Sequence, residues 1–400
     1  MKNTLRNSIV VAALGLPPLA QAGGLYLYEV GTSDLGFAGA GTAARAEDAS
    51  TVYGNPAGMT RLSGNQLVAG AQMLYGKAEY EVDGTALLGT RDPGNVIGWL
   101  PGGSLFYSHS IDDRLKLGVG VYGNFGLALD FGDSWAGRNL VDNTAMMAMT
   151  IQPSLAYRID DKWSLGIGLT ANYGLLKLER VALAGGGNPD EKDTDWEFGG
   201  RVGLMFEPSK ATRLGLVWTS KVEYDFSINA TVTGLLGRTH TFPVKASVNA
   251  PQQVMASIYH TLNDRWAVTG NLGWQDWSRF SQNTVETNAG TTTSSLKLQD
   301  TWHVAVGARY QYDATTKINA GVAYDNSFYK NQNQTSFALP NGDTWRFGTG
   351  VQYTLSPKSE LGLAAEYARS DSSSDPSRLL SGKYDHPYMV FLSAHYSYRF

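Results

Sequence analysis

The sequence predicts an all-β protein: a 14-stranded antiparallel transmembrane β-barrel, plugged by a small N-terminal hatch. Three observations carry that prediction. The chain opens with an export signal yet contains no cysteine. Its strands alternate with period two and begin and end on aromatic residues. Short polar turns recur along it at even intervals.

Residues 1–22 read as a secretory signal peptide. Lys2 and Arg6 form a positive start, Ile9 to Leu16 an apolar core, and Ala20-Gln21-Ala22 a small-x-small cleavage site. Removing Lys2 and Arg6 from the 32 basic residues leaves 30 against 36 acidic ones, so the net charge moves from −4 to −6. That balance gives no basic footprint for nucleic acid. With Cys at 0, disulfides do not hold the fold and thiol chemistry is excluded. No later stretch approaches 18 uninterrupted apolar residues. Gly 46, Tyr 21 and Trp 10 are high counts. Export, glycine, aromatics and the lack of cysteine point to the bacterial outer membrane. A soluble periplasmic β-protein is the competing class.

Residues 23–64 are expected to form the hatch. Gly31 to Gly64 is rich in Gly and Ala and shows no sustained alternation. A segment that cannot join the wall sits most simply inside it, because fourteen strands enclose a lumen wider than side chains fill. Asn55, Pro56 and Ala57 are the candidates for holding this segment in register. Asn-Pro pushes the residue before proline out of the helical region and sets a rigid turn.

Residues 65–400 are expected to be the barrel, with strands beginning near Gln66. From Trp163 to Tyr173 the odd positions are apolar, and the even ones are Ser, Gly, Thr and Asn. Leu115 to Val121, Trp302 to Tyr312 and Ile318 to Tyr324 alternate likewise. One greasy face and one small or polar face mark a strand between two media. Aromatic residues at strand ends match the girdles of lipid-spanning barrels. Turns at Asp112-Asp113-Arg114, Asp160-Asp161-Lys162, Glu207-Pro208-Ser209, Asn263-Asp264-Arg265, Asp313-Ala314-Thr315 and Ser356-Pro357-Lys358 flank twelve strands. One strand before the first turn and one after the last make fourteen. The chain closes on Val390 to Phe400, again alternating. Closure matters because an open edge cannot exist in lipid. The outer loops read as short.

Other chemistry is set aside on the residues. Gly118-Val119-Gly120-Val121-Tyr122-Gly123 matches a dinucleotide fingerprint in letters, but it lies in a strand and opens no helix. The histidines are scattered without metal spacing. No Ser sits in a nucleophile context. The expectation is no enzyme, no cofactor and no metal. A water-filled porin is the structural rival. Inward positions of the clearest strands are Gly, Ser, Thr, Asn and Ala, and charges gather at turns, which favours a plugged and weakly polar lumen.

At these residues the chain resembles the FadL family of outer-membrane transporters for long-chain fatty acids and other hydrophobic compounds. The matching parts are Gly23-Gly24-Leu25-Tyr26-Leu27-Tyr28-Glu29, Asp34-Leu35-Gly36, Ala46-Glu47-Asp48-Ala49 and Asn55-Pro56-Ala57. Asn124-Phe125-Gly126-Leu127, Trp135-Ala136-Gly137, Lys177-Leu178-Glu179-Arg180 and Trp277-Ser278 match as well. The resemblance implies fourteen strands, an N-terminal hatch, and a third strand that kinks inward to open a gap in the wall. The matching region is Gly123, Asn124, Phe125 and Gly126. Two glycines around a polar residue also weaken a ladder and invite a bulge. The alternative there is a strand end leading into a loop over residues 130–142.

The resemblance puts Arg180 beside a ligand carboxylate. It puts a second basic residue where Ser294 stands, with Lys297 a few residues on. That departure leaves two substrate classes open, fatty acids and aromatic or aliphatic hydrocarbons, since members that pass hydrocarbons need no carboxylate clamp. Leu25 and Tyr26, near the mature N-terminus, are the candidates for touching ligand. The expected function is passive transport of a long-chain fatty acid or other hydrophobic small molecule. Capture would occur in a lumen pocket, behind the lipopolysaccharide and within outer-membrane lipid, with hatch movement and lateral exit. The expected state is a monomer.

Overall fold

A computed structural model of the chain describes residues 26–85, 91–179, 181, 190–233, 239–280, 282–287, 290–295 and 297–400. The proposed signal peptide, Leu25 and Arg180 lie outside the described residues.

Fourteen antiparallel strands close into one barrel. They are β1 (Gln66–Lys77), β2 (Gly98–Ser110), β3 (Leu115–Asp130), β4 (Asn143–Arg158), β5 (Trp163–Glu179), β6 (Asp190–Phe206) and β7 (Thr212–Thr219). The second half comprises β8 (Gln253–Thr261), β9 (Trp266–Gln275), β10 (Thr301–Gln311), β11 (Thr316–Asp325), β12 (Thr344–Ser356), β13 (Ser359–Ser370) and β14 (Tyr388–Arg399). The barrel closes where β1 meets β14, from Gln66↔Arg399 to Lys77↔Tyr388. All six turns read from the sequence fall between consecutive wall strands on one rim. Their geometry explains their residues. The Asp112 carboxylate accepts the backbone N–H groups of Arg114 and Leu115, each at 2.7 Å. Those two bonds hold its carboxyl below the ordinary carboxylate value. Asp160, Asn263 and Asp313 cap their turns in the same way.

The period-two pattern separates lipid from lumen. On β5, Leu165, Ile167 and Leu169 are exposed outward, while Ser164, Thr170 and Asn172 are buried inward. Aromatics gather at both rims. Trp163 stacks on Phe206 at 4.2 Å and Trp266 packs on Tyr310 at 4.7 Å near the turns. Tyr173–Trp196 and Tyr324–Trp345, both at 5.2 Å, sit toward the other rim.

Two readings need correction. The outer loops are not short. They carry two four-stranded sheets of their own, one from Val222–Thr233, Thr239–Ala250, Gln282–Thr287 and Gly290–Ser295, the other from Glu79–Thr85, Gly94–Asn95, Ser373–Asp375 and Leu380–Tyr384. One of these strands does alternate, with Tyr224, Phe226 and Ile228 buried, so the pattern was present in the sequence. The lumen face is also more charged than it read, with Arg201, Arg213, Arg309, Arg346 and Glu366 all buried. Buried charges require partners, and some of those partners come from the N-terminal segment.

That segment runs along the lumen face of the wall. It contains helix α1 (Thr32–Gly36), helix α2 (Thr51–Gly54) and a 3-10 turn at Pro56–Arg61. Asn55 is extended (φ −162°, ψ 107°), as a residue before proline must be, and its side-chain oxygen accepts the Ala57 N–H at 3.0 Å. Pro56 then occupies the first turn, where a missing N–H costs nothing. The wall leaves room for this backbone. A Cβ added to Gly166 would fall on the Pro56–Ala57 peptide. Wall side chains bind its main chain: Gln152 Nε2 donates to Val52 O at 2.6 Å, and Asn271 Oδ1 accepts the Gly41 N–H at 2.8 Å. Ion pairs join Glu47 to Arg309 and Glu29 to Arg346.

Candidate functional site

The site begins at an irregularity in β3. Tyr122 pairs with Thr150 on β4, and the next pair is Phe125 with Ala148. Gly123 and Asn124 together therefore face Met149 alone, which is a bulge. The strand does not end there. It runs on to Asp130, so these residues are not the start of a loop.

The bulge separates β3 from β2. Their pairing covers only Ser104↔Tyr122 to Ser110↔Lys116. Beyond Tyr122, β3 keeps its β4 partner but leaves β2. The matching part of β2, residues 98–103, pairs only with β1. Higher up, Asp130 N donates to Val96 O at 2.8 Å and closes the gap. The result is a lateral window, bounded below by the Ser104↔Tyr122 pair and above by residues 96 and 130. Pro101 lies on the free edge of β2. Proline, which has no N–H to give a ladder, is tolerated there and not in a central strand.

The N-terminal segment fills the place that β2 vacates. Tyr26 makes an antiparallel bridge with Phe125, and Leu27 N donates to Asn124 O at 2.9 Å. The Tyr26 hydroxyl also accepts from Asn124 Nδ2 at 3.1 Å and from Gln253 Nε2. Tyr26 is buried.

Behind the window lies a cavity of about 350 Å³. Leu27, Leu74, Leu100, Phe125, Met147 and Phe391 form its apolar surface, and no charged side chain lines it. Its polar lining includes Gln72, whose Nε2 is spent on Glu29 O at 2.7 Å and Val30 O at 3.1 Å. A space of this kind takes an apolar guest and offers it little to hydrogen-bond.

Of the residues read from the sequence, Gly123, Phe125 and Gly126 line this cavity, and Asn124 and Tyr26 stand beside it. Asn55, Pro56 and Ala57 are buried under β5 and β6, away from it. Asn55 Nδ2 donates to Ala43 O at 2.8 Å and to Leu204 O at 3.1 Å. Lys297 is exposed on an outer loop and lines none of the cavities described here. Sequence reading missed the contributions of β1, β2, β4 and β14. One signal was present: Leu100-Pro101-Gly102-Gly103 breaks alternation and marks an unpaired strand edge.

A family model described as outer membrane protein transport protein (OMPP1/FadL/TodX) matches residues 16–400. The long-chain fatty acid transport protein of Escherichia coli (strain K12) is 26% identical over 383 residues, covering 82% of this chain and 84% of that protein. The 47 kDa outer membrane protein of Pasteurella multocida (strain Pm70) is 30% identical over 353 residues, covering 79% and 81%. Among solved structures, a Pseudomonas aeruginosa FadL homologue aligns with a TM-score of 0.79 at 20% identity, over 94% of this chain and 100% of that one. The Pseudomonas putida toluene transporter TodX aligns with a TM-score of 0.68 at 16% identity, over 88% and 93%. At those identities the structural likeness is one of fold.

Proposed function

Because the chain belongs to the outer membrane protein transport family (OMPP1/FadL/TodX), we propose that it carries long-chain fatty acids or similar hydrophobic molecules passively across the bacterial outer membrane. The observation that carries this reading is the uncharged cavity of about 350 Å³ opening on a wall window between β2 and β3. The lipopolysaccharide leaflet is polar and resists apolar solutes. A dry pocket behind it favours them: burial of an acyl chain yields about 0.8 kcal/mol per CH₂, enough for capture without an energy source. Residues 23–64 act as a hatch, anchored at Asn55 and Pro56. Movement of Tyr26 and Leu27 away from the kinked strand opens the pocket, and the guest leaves sideways into the membrane.

One observation favours a second reading within this class. With no charged side chain in the lining, a neutral hydrocarbon fits the cavity as well as an acyl tail does. The name of the TodX neighbour, a toluene transporter, supports the same reading.

Filling the cavity tests the proposal. A Cβ added at Gly102 would meet nothing nearer than Gln72, at 3.6 Å. Gly102→Phe therefore puts a ring into the cavity without a backbone clash. Cells carrying this variant, inserted at the wild-type level, should take up labelled oleate several-fold more slowly. Wild-type uptake would remove the cavity from the route.

A further inference from the structure

From β11 through β14 to β1, the lipid-facing positions of the wall hold just two charged side chains, Lys77 and Arg369. They stand in one row. Lys77, the last residue of β1, pairs with Tyr388 on β14. Tyr388 pairs in turn with Arg369 on β13, and Arg369 with Trp345 on β12. Residues directly opposite one another share a face of the sheet. Trp345 is half exposed, and its ring lies 5.2 Å from that of Tyr324 in the outer girdle. The whole row therefore faces lipid at the level of the headgroups, on the rim away from the six short turns.

Two strand spacings put the backbones of Lys77 and Arg369 about 10 Å apart, so both long side chains can converge over Tyr388. Lys77 Nζ meets Glu79 Oε1 at 3.3 Å, with both side chains well exposed. Such a pair contributes little and is readily exchanged. Arg369 is exposed and has no ion pair among the described residues. Nearby loop carboxylates are engaged elsewhere: Glu81 with Lys383, and Asp385 with Ser372 and His386. Below the two cations the surface is apolar. The next outward positions are Tyr75, Val390 and Tyr367, and the Tyr367 ring lies 5.7 Å from that of Tyr388. Met73 and Leu392 follow as an exposed cross-strand pair.

A cationic ledge above an apolar slope matches an amphiphile with a phosphate at its head and acyl chains beneath. The planar guanidinium suits phosphate oxygens in particular, because it can donate two parallel hydrogen bonds. In the outer leaflet of the outer membrane the molecule of that shape is lipopolysaccharide, through the phosphates of its lipid A. We propose that Lys77 and Arg369 form a docking site for a lipid A phosphate, with the acyl chains lying down the slope of Tyr75, Val390 and Tyr367. The site is on the outside of the barrel and does not depend on the uptake reading. β1 also pairs with β2, whose free edge bounds the window, so the docked lipid stands one strand from that opening.

The test measures lipid binding to detergent-solubilised protein by native mass spectrometry, with folding checked by heat-modifiable gel migration. The probes are bis-phosphorylated lipid A, the same lipid with its phosphates removed, and inorganic phosphate. Wild type should bind the phosphorylated lipid about ten-fold or more tightly than the dephosphorylated one, and excess inorganic phosphate should not displace it. The double variant Lys77→Gln, Arg369→Gln should lose about ten-fold in affinity for the phosphorylated lipid and none for the other. Arg369→Lys should keep most of the preference. Lys358→Gln removes an exposed charge in a turn on the opposite rim and should bind as wild type does. Equal binding of both lipids by wild type, wild-type affinity in the double variant, or equal loss in Lys358→Gln overturns the site. Displacement by inorganic phosphate would make it a site for any anion and overturns the lipid assignment as well. Oleate uptake is a separate readout, so failure of the docking site leaves the uptake reading standing.

Discussion

Asn55 does three things with one side chain. Its oxygen caps the turn that Pro56 starts, and its amide holds the Ala43 and Leu204 carbonyls, one in the N-terminal segment and one in the wall. Each buried bond is worth about 1 kcal/mol, and more is lost when a partner is left unsatisfied. Asn55→Ala should therefore loosen the segment by about 2–3 kcal/mol while the barrel, closed by its own ladders, still inserts. The measurement is steady ion current across planar bilayers, which should rise several-fold over wild type; an unchanged current would mean that Asn55 does not hold the segment. The motif was legible because its chemistry is local: the residue before a proline has few conformations, and an Asn there caps. Arg201 was not legible. Period two assigns it to the inward face, but nothing near it in sequence says that Tyr53 and Tyr26 stand opposite and that, among the described residues, no carboxylate pairs with it. Such a fact exists only once the lumen is assembled.

At the scale of elements, β3 is a strand made to misbehave. Its first half pairs with both neighbours, and its second half gives up β2 because Gly123 and Asn124 crowd against a single partner. The count is what matters. Deleting Asn124 removes one residue from the bulge and lets the register run straight, so that β3 can meet the free edge of β2 and shut the window. The deletion variant should insert normally and show uptake of oleate reduced about ten-fold, as for loss of a whole route rather than of one contact; uptake at the wild-type rate would show that the window is not the exit. Most of the wall could be read in advance. Alternation between lipid and lumen is imposed residue by residue, and the Asx-type turns repeat with their own chemistry. The family resemblance that rested on Asn55-Pro56-Ala57 and the Asn124-Phe125-Gly126-Leu127 stretch is the family that the chain belongs to. The outer sheets escaped although Val222, Tyr224, Phe226 and Ile228 alternate with Glu223, Asp225, Ser227 and Asn229, because that pattern alone does not tell a sheet over the lumen from a strand of the wall. The pocket escaped as a whole because its lining comes from several strands, of which only β3 at Gly123–Gly126 and β2 at Pro101 are unusual in sequence.

The molecule as a whole is a wall enclosing a segment held by apolar packing, as of Val52 and Met59 with Phe106 and of Phe37 with Ala305 and Ala323, and by polar contacts. Hydrogen bonds from wall side chains to the segment's main chain fix its path, and charge fixes its ends. Near the start, Arg346 on β12 meets Glu29 of the segment, Asp325 on β11 at 2.6 Å and Glu366 on β13 at 3.2 Å. His303 on β10 meets the same Asp325 at 2.7 Å. One guanidinium thus bridges carboxylates from two strands and the segment at once. Such an arrangement is strong while complete and unstable when broken, since removing one partner of a buried pair costs about 3–5 kcal/mol. Arg346→Met keeps the volume and leaves Glu29, Asp325 and Glu366 facing one another without a cation. The barrel should survive, because its ladders do not depend on this site, and the segment's first residues should come free. We expect protease cleavage within residues 26–50 of the folded, membrane-inserted variant under conditions where wild type is resistant, together with raised ion current. Glu29→Gln, which removes the segment's charge and leaves Arg346 with two wall carboxylates, should give the milder form of both effects. If Arg346→Met stayed as resistant and as silent as wild type, the segment would have to be held by its hydrogen bonds and apolar packing, and its release could not be switched at this cluster.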